Sequence, residues 1–581
     1  MCGILGVISR GEISQTEFEG CLKKIDHRGP DDLGSFYDHG IALGQTRLSI
    51  IDLSDAGHQP MFSNCGRYVL VYNGEVYNFK ELKQDLITNG VSFYSETDSE
   101  VILNGFIYYK EKIVEKLNGM FAFAIHDRLE NRTFFARDRH GIKPLYYRLK
   151  NGEFSFSSEI KSLPNNKKIN LKSKILFLLF GYIPEPYTIY DDIFMFPSCS
   201  YGYYEQGELR LTCYHQFTYG DKLDKSYEDV LYEVNALLES SIERHLIADA
   251  PIGTFLSGGI DSSLLTALAS KYKDKLRTLS LTFDDDKFSE EYYQDLIAER
   301  YQTQHVKYCI TEKEFINAIN PFISSLDQPT VDGINTYLVS KAAKASGLTT
   351  VLSGLGGDEL FYGYPSFKRV NVLNFLRKIP YPIIKVFERS NKYKKMEFLK
   401  VENELSFYLP SRALFSPREI SEILNIEIGD VFSTIYELWN KYNMSSIKEL
   451  EDKVSFMERK LYMQGQLLRD SDVFGMAHSL EIRVPFLDNN LVDYITKVKT
   501  SYKFGENNKQ ILADIAKKHL PNDIIERPKM GFVLPFETWF LNNIELFDFN
   551  EKMKEKFVNK EIPWSKMWAL FILESFEKNE L

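Results

Sequence analysis

Residues 252–268 read IGTFLSGGIDSSLLTAL. An apolar run from Ile252 to Leu256 gives way to Ser257-Gly258-Gly259, and helix-forming residues follow from about Ser262. A strand, a glycine turn and a helix in that order form the junction at which doubly wound sheets meet their ligands. Glycines let the main chain approach an anion closely. The helix start adds unpaired N–H groups and the positive end of its dipole. Ser257, Ser262 and Ser263 contribute hydroxyl groups. The Walker pattern GxxxxGK[ST] is absent from the chain. A purely structural strand-to-helix turn could also read SGG, so the flanking sequence has to discriminate.

Outward from this stretch the texture alternates. A helix from Glu228 to Arg244 precedes it; strand TLSLTF, helix Glu290 to Tyr301, a strand near His305, a long helix through Ala342 and strand TTVLSG follow. This pattern predicts a parallel sheet with helices on both faces. The last strand runs into VLSGLGGDELFYGYP at 351–365. Its loop, Ser353 to Glu359, and the loop Ser257 to Ser263 can converge beyond the carboxyl ends of the strands. Asp261 and Asp358 then supply two carboxylates, the oxygen ligands that Mg²⁺ takes beside phosphates. Acidic caps of two helices are the plainer alternative. The pattern SGGxDS resembles the loop of the ATP pyrophosphatase family, whose members cleave ATP between the α- and β-phosphates.

The first half reads differently. Up to about residue 208, short β-rich runs (GRYVLVYNGEVYNF, NGMFAFAIHD, NRTFFARDR, GEFSFSSE) alternate with Gly, Asn and Asp turns. Helices near Phe79 to Leu86 and Ser99 to Tyr109 interrupt them, which predicts a layered α+β domain. The mixed stretch 204–226 is the expected junction, dividing the chain into 1–208 and 209–581. No internal repeat or low-complexity tract is present.

The composition agrees with two globular domains. The chain has 581 residues, 44% hydrophobic and 26% charged, with a net charge of -11. An acidic balance argues against a general nucleic-acid binder. Six scattered cysteines without a CxxC pair suit a reducing, cytoplasmic setting. The longest apolar stretch, ILFLLFGYI from Ile175, falls short of the roughly 18 residues a membrane span needs and reads as buried core. No signal peptide is evident.

The N-terminus, MCGILGV, holds one more candidate. Removal of the methionine would leave Cys2 with a free α-amine of pKa about 7.7–8.0, a general base beside its own thiol. A buried cysteine opening an apolar strand is the alternative.

Taken together, the motifs resemble those of the glutamine-dependent asparagine synthetase family. HRGPDD at His27, GQTRLSIIDLSDAGHQPM at Gly44, YNGEVYN at Tyr72, TDSEVIL at Thr97, GMFAFAIHD and ARDRHGIKPLYY match its class II glutaminase domain. LSGGIDSS, SLEIRVPFLD at Ser479 and RPKMGF at Arg527 match its synthetase domain. The resemblance runs almost from end to end and implies an N-terminal-nucleophile fold followed by an ATP-pyrophosphatase fold with additional helices. It implies that Cys2 attacks the glutamine side-chain amide, with Asn73 and the N–H of Gly74 as oxyanion hole. Arg47 would meet the glutamine α-carboxylate, Glu75 and Asp98 its α-ammonium, and Leu48, Ser49, Ile50 and Ile51 the remaining wall. Arg47 could instead be an ion-pair residue, and Asp98 could be the N-cap of its helix.

In the synthetase half, the resemblance implies adenylation of a carboxylate by ATP with Mg²⁺, and attack by ammonia arriving through an apolar tunnel. Leu256 and Leu281 would line the adenine site, with Ser257, Gly258, Gly259, Asp261, Ser262, Ser263, Ser353 and Gly354 around the nucleotide. Lys529 would face the departing pyrophosphate, or be an ordinary surface lysine. Arg483 matches a family position and could equally serve a structural ion pair. The expected partners are glutamine and aspartate, with a homodimer possible and no nucleic acid or membrane. One departure stands out: the family commonly reads SGEGxDE where this chain reads SGLGGDE. Leu355 replaces a glutamate used near the acyl-adenylate, which makes Leu355 and Glu359 the acceptor-site candidates. Aspartate leads as acceptor; another carboxylate, such as a uronic acid sugar of a surface polysaccharide, is the runner-up.

Overall fold

A computed structural model of the chain describes residues 2–164, 168–283, 289–380, 391–505, 509–527, 535–549 and 551–580. Its first part contains two six-stranded antiparallel sheets. One runs Ile193–Met195, Tyr146–Lys150, Glu153–Ser157, Cys2–Ile8, Ile41–Arg47, Asp32–Asp38. The other runs Glu208–Cys213, Ser200–Glu205, Arg132–Arg137, Gly119–Asp127, Tyr68–Val76, Met61–Phe62.

Alternation along the strands dictates how these sheets stack, because successive side chains point to opposite faces. Ile4, Leu43, Val69 and Val71 meet Ala122, Ala124 and Phe135 between the sheets. Their neighbours Leu5 and Ala42 face away, toward Phe18, Leu22 and Leu176 of the helices Gln15–Lys23 and Leu171–Phe180. On the far side, Leu70 and Tyr72 pack against the helices Phe79–Thr88 and Asp98–Tyr109. The layers are therefore helix, sheet, sheet, helix. The apolar stretch from Ile175 is indeed buried, as the end of a helix. The strand Cys2–Ile8 lies inside its sheet with Cys2 opposite Arg47.

The sheet does not end at residue 208. The strand Glu208–Cys213 pairs antiparallel with Ser200–Glu205 and carries the sheet to Cys213.

The second part is built on a five-stranded parallel sheet ordered Gln304–Ile310, Arg277–Phe283, Ile252–Phe255, Thr350–Leu352, Glu481–Arg483. The strand order reverses between Ile252–Phe255 and Thr350–Leu352, which opens a crevice at their carboxyl ends. The expected helices appear as Tyr227–His245, Ile260–Ala269 and Glu291–Arg300. The long helix through Ala342 is two helices, Glu312–Ser325 and Ile334–Ala345. Between them, Pro329 lacks the N–H a continuing helix needs, and Gly333 turns the chain at φ +90°. After Phe361 the regular elements of the described chain are helices, apart from the strand Glu481–Arg483.

The two parts are stitched together by direct contacts. Main-chain N–H groups of Asp249 and Ala250 donate to the Ile50 carbonyl, at 2.9 and 3.3 Å. Arg28, fully buried, donates to Glu159 at 2.8 Å and to Asp472 of the second part at 2.6 Å. Among the described residues no helix is long and apolar enough to cross a membrane.

Candidate active sites

Cys2 is 8% exposed and held from three sides. Its main-chain N–H donates to Asn73 Oδ1 at 3.1 Å, and its carbonyl accepts from Arg28 Nε at 3.1 Å. The thiol accepts the N–H of Leu48; burial pushes its pKa up, while that N–H and the Arg47 guanidinium act in the opposite direction. Asn73 and Gly74 come from the facing sheet. A Cβ on Gly74 would overlap the Met120 carbonyl oxygen and lie 2.7 Å from Phe121 Cα, so glycine is required for this approach. Arg47 reaches into its own loop, donating to the carbonyls of Ser54 at 2.9 Å and Asp52 at 2.5 Å. Gly57 makes room for that guanidinium. Residues Leu48 to Asp52 thus wrap around Arg47, with the Ser49 N–H on Asp31 at 2.8 Å.

Beside this pocket lie three buried carboxylates. Asp98 accepts from Tyr72 Oη at 2.8 Å and the Val76 N–H at 2.9 Å. It is not its helix's cap, since Thr97 takes that position. Glu75 lies 3.5 Å from Arg483 Nη2, and Glu481 receives Arg483 Nε at 2.5 Å. Arg483 also donates to the carbonyls of His245 and Ile247, both at 2.7 Å. Burial, then Glu481, raises the Glu75 pKa well above the usual carboxylate range, and burial raises Asp98. Burial acts the same way on Glu481, but the charge of Arg483 together with the N-terminal amine, Lys143 and the Arg483 hydrogen bond outweighs it and holds Glu481 low. One guanidinium among three buried carboxylates leaves an environment that favours an incoming ammonium. No local pattern around Arg483 and Glu481 shows that they reach the first pocket.

At the crevice of the parallel sheet is a cavity of about 920 Å³, lined by Leu256, Ser257, Asp261, Leu281, Ser353 and Leu355 among others. The turn is tied by Ser262 Oγ, which accepts the Ser257 N–H at 3.1 Å. Gly258 has φ +73°. Gly354 and Gly357 abut Asp261, and a Cβ on Gly357 would lie 3.0 Å from its carboxylate. Gly259 and Gly356 hold the cap positions, so Asp261 and Asp358 are first-turn residues rather than caps. Both carboxylates converge on Lys509 Nζ, with Asp358 at 2.8 Å. Two carboxylates that share one ammonium are close enough to share a divalent cation. Lys509 stands 248 residues from Asp261 and belongs to none of the motifs.

Other expected residues are more remote. Ser263 is buried in its helix. Glu359 is also buried, behind Tyr364, whose hydroxyl donates to it at 2.7 Å. Burial and the neighbouring Asp358 push its pKa up to about 7. Lys529 lies outside the described residues. Arg527, two positions earlier, lines the cavity and donates to the Gly258 carbonyl at 3.0 Å.

A single apolar cluster joins the two sites. It contains Leu48 and Ile50 at the first, Leu256 at the second, and Met120, Ile142, Leu352, Met463 and Val484 with them; Leu355 packs against it.

Comparison with known proteins gives a consistent result. The sequence model for asparagine synthase matches residues 233–562, and that for a glutamine amidotransferase domain matches 1–215. The glutamine-hydrolysing asparagine synthetase 1 of Bacillus subtilis is 30% identical, over 97% of this chain and 92% of its own. A putative glutamine-hydrolysing asparagine synthetase 2 of Methanocaldococcus jannaschii is 36% identical over 65% of this chain and 79% of its own. A putative asparagine synthetase of Mycobacterium bovis is 28% identical over 93% and 88%. The chain belongs to the asparagine synthase family, as an ATP-dependent amidotransferase ligase with a glutamine amidotransferase domain ahead of the synthetase domain.

Proposed function

We propose that this ligase releases ammonia from glutamine at Cys2 and delivers it to a carboxylate that ATP has activated as an acyl-adenylate in the 920 Å³ cavity. The observation that carries this reading is the apolar cluster running from Leu48, which holds the Cys2 thiol, to Leu256 on the cavity wall. A passage opened along this apolar cluster would keep ammonia away from the bulk water that protonates it.

Cys2 forms the glutamyl thioester, and Asn73 with the Gly74 N–H stabilises the oxyanion. Arg47 engages the α-carboxylate through donor positions its carbonyl partners leave open, and Glu75 and Asp98 take the α-ammonium. Leu48 to Ile51 close the pocket. In the cavity, Leu256 and Leu281 flank the adenine, while the loops 257–263 and 353–354 carry the phosphates. Asp261 and Asp358 would hold Mg²⁺, which when bound neutralises phosphate charge. Lys529 is proposed to face the pyrophosphate. Adenylation gives the carboxylate a leaving group better than hydroxide. We draw the domain boundary after Cys213, since the sheet of the first domain reaches that residue.

Two acceptors are separable. Aspartate is favoured by the relatives and by the presence of both Lys368 and Asp332 on the cavity wall, one charge for each α-group. A bulkier carboxylate, such as a uronic acid sugar, is favoured by Leu355, which lines the cavity where the family has a glutamate. The test is pyrophosphate release with aspartate and a panel of sugar acids, each with glutamine or ammonia as nitrogen source. Aspartate above all other acids assigns asparagine synthesis; a sugar acid above aspartate assigns the second reading. ADP and phosphate as products would overturn adenylation itself.

A further inference from the structure

A pair of cysteines outside both sites has a geometry of its own. Cys213 ends the edge strand Glu208–Cys213, and Cys199 precedes the strand it pairs with. Both thiols donate to one oxygen, the His215 carbonyl, at 3.0 Å from Cys199 and 3.3 Å from Cys213. The two sulfurs are also within hydrogen-bonding reach of each other. Cys199 is buried and held at φ +59°, its N–H on the Asp138 carbonyl at 2.8 Å and its own carbonyl accepting the Tyr214 N–H at 3.0 Å. Cys213 is exposed. Among the six cysteines, all free, one member of this pair is open to solvent and the other waits behind it.

The surroundings favour a thiolate at the outer position. The Cys199 thiol, then the main chain at His215 and the charge of Lys460, bring Cys213 down to about 6 against the burial that opposes them. Cys199 is pushed up, chiefly by its bond to Cys213 and by burial. An attacking thiolate in front and a protonated resolving thiol behind is the arrangement of thiol pairs that oxidise reversibly.

We propose that Cys199 and Cys213 form a peroxide-reactive dithiol that closes to a disulfide where the chain leaves the first domain. The Cys213 thiolate attacks one oxygen of hydrogen peroxide; the O–O bond breaks and hydroxide leaves to become water, giving Cys213–SOH. The Cys199 sulfur then attacks Cys213 Sγ, the S–O bond breaks, and the departing hydroxide takes the Cys199 proton as a second water. Two thiols lose two electrons in all, and one peroxide gains them. The His215 carbonyl loses the Cys199 S–H donor in the process. That carbonyl opens the stretch in which Phe217 packs under the Arg459 guanidinium at 4.1 Å and Tyr219 accepts from Arg459 at 2.9 Å. Closure therefore loosens the start of the connection between domains.

The test uses the full chain at neutral pH with a small excess of hydrogen peroxide. Arg210 lies between the two cysteines, so trypsin separates their peptides unless a disulfide joins them. The expected result is loss of two titratable thiols, one crosslinked pair containing Cys199 and Cys213, and full recovery with dithiothreitol. Cys199→Ser should stop at a dimedone-reactive sulfenic acid on Cys213, and Cys213→Ser should yield no crosslink. Serine keeps the donor to His215, and unchanged melting of both variants confirms that folding is intact. Cys213 oxidising no faster than the exposed Cys65 and Cys309, or thiol loss without the crosslink, overturns the proposal. So does unaltered hydrogen exchange over 214–219 in the crosslinked protein.

Discussion

At the scale of single residues, Cys2 and Leu355 carry the sharpest expectations. Cys2→Ala removes the only nucleophile proposed for glutamine and should lower its hydrolysis by about 10³-fold or more. Pyrophosphate release driven by added ammonia should persist, because the cavity contains no part of Cys2. Loss of both activities in a folded variant would contradict two separate sites. Leu355→Glu places a carboxylate on the cavity wall and should raise aspartate-dependent pyrophosphate release without changing glutamine hydrolysis. An unchanged ratio between aspartate and the best sugar acid would remove Leu355 as the determinant of acceptor choice. Both residues were legible in the sequence because each sits inside a contiguous motif. Lys509 was not: its bond to Asp261 crosses 248 residues and leaves no local pattern. Arg28 lay in the quoted HRGPDD, yet nothing in those six residues shows that its side chain ends on Asp472.

At the scale of elements, the strand-turn-helix at 252–268 was readable because strand, glycine turn and helix each have a short-range cause. The split of the long helix was harder to see, since the segments on either side of it, Glu312–Ser325 and Ile334–Ala345, both read as helix. Gly333 fixes that break. It starts the helix Ile334–Ala345 at φ +90°, and a Cβ there would overlap the Phe474 ring. Gly333→Ala should therefore destabilise the protein by about 1–3 kcal/mol, from overpacking and a conformation that L residues avoid. The measurement is thermal unfolding against wild type. An equal melting temperature would show that the break is set elsewhere. The helices Gln15–Lys23 and Leu171–Phe180 escaped notice for a physical reason. The second buries nearly all of its circumference from Ser173 onward and so shows no polar stripe of period 3.6.

At the scale of the whole molecule, the interface between domains is the feature that sequence alone left invisible. His245 packs against Tyr77 across it, the rings tilted with centroids 3.8 Å apart, and its Nδ1 lies 2.8 Å from the Ser241 carbonyl. Burial holds its pKa down to about 4, with Arg483 and Arg244 adding to the effect and Asp488 opposing it. A lowered folded-state pKa means stability that is complete above pH 6.5 and lost as the pH falls through about 4. The loss amounts to about 3 kcal/mol at most. His245→Gln should flatten the melting temperature between pH 6.5 and 4.5; a slope equal to wild type would exclude His245 as its source. Arg28→Met would strand Glu159 and Asp472 as buried carboxylates and should cost about 3–5 kcal/mol, read by denaturant unfolding. A cost below 1 kcal/mol would mean that both acids simply take up protons. The same guanidinium has a consequence for how the protein is made. Its Asp472 partner is translated 444 residues later, an interval of roughly 20–90 s on a ribosome adding about 5–20 residues per second. Until then the arginine that grips the Cys2 carbonyl has only half of its acidic anchor. A nascent chain thus holds the Cys2 carbonyl in an unfinished mount until the second part of the protein has been made.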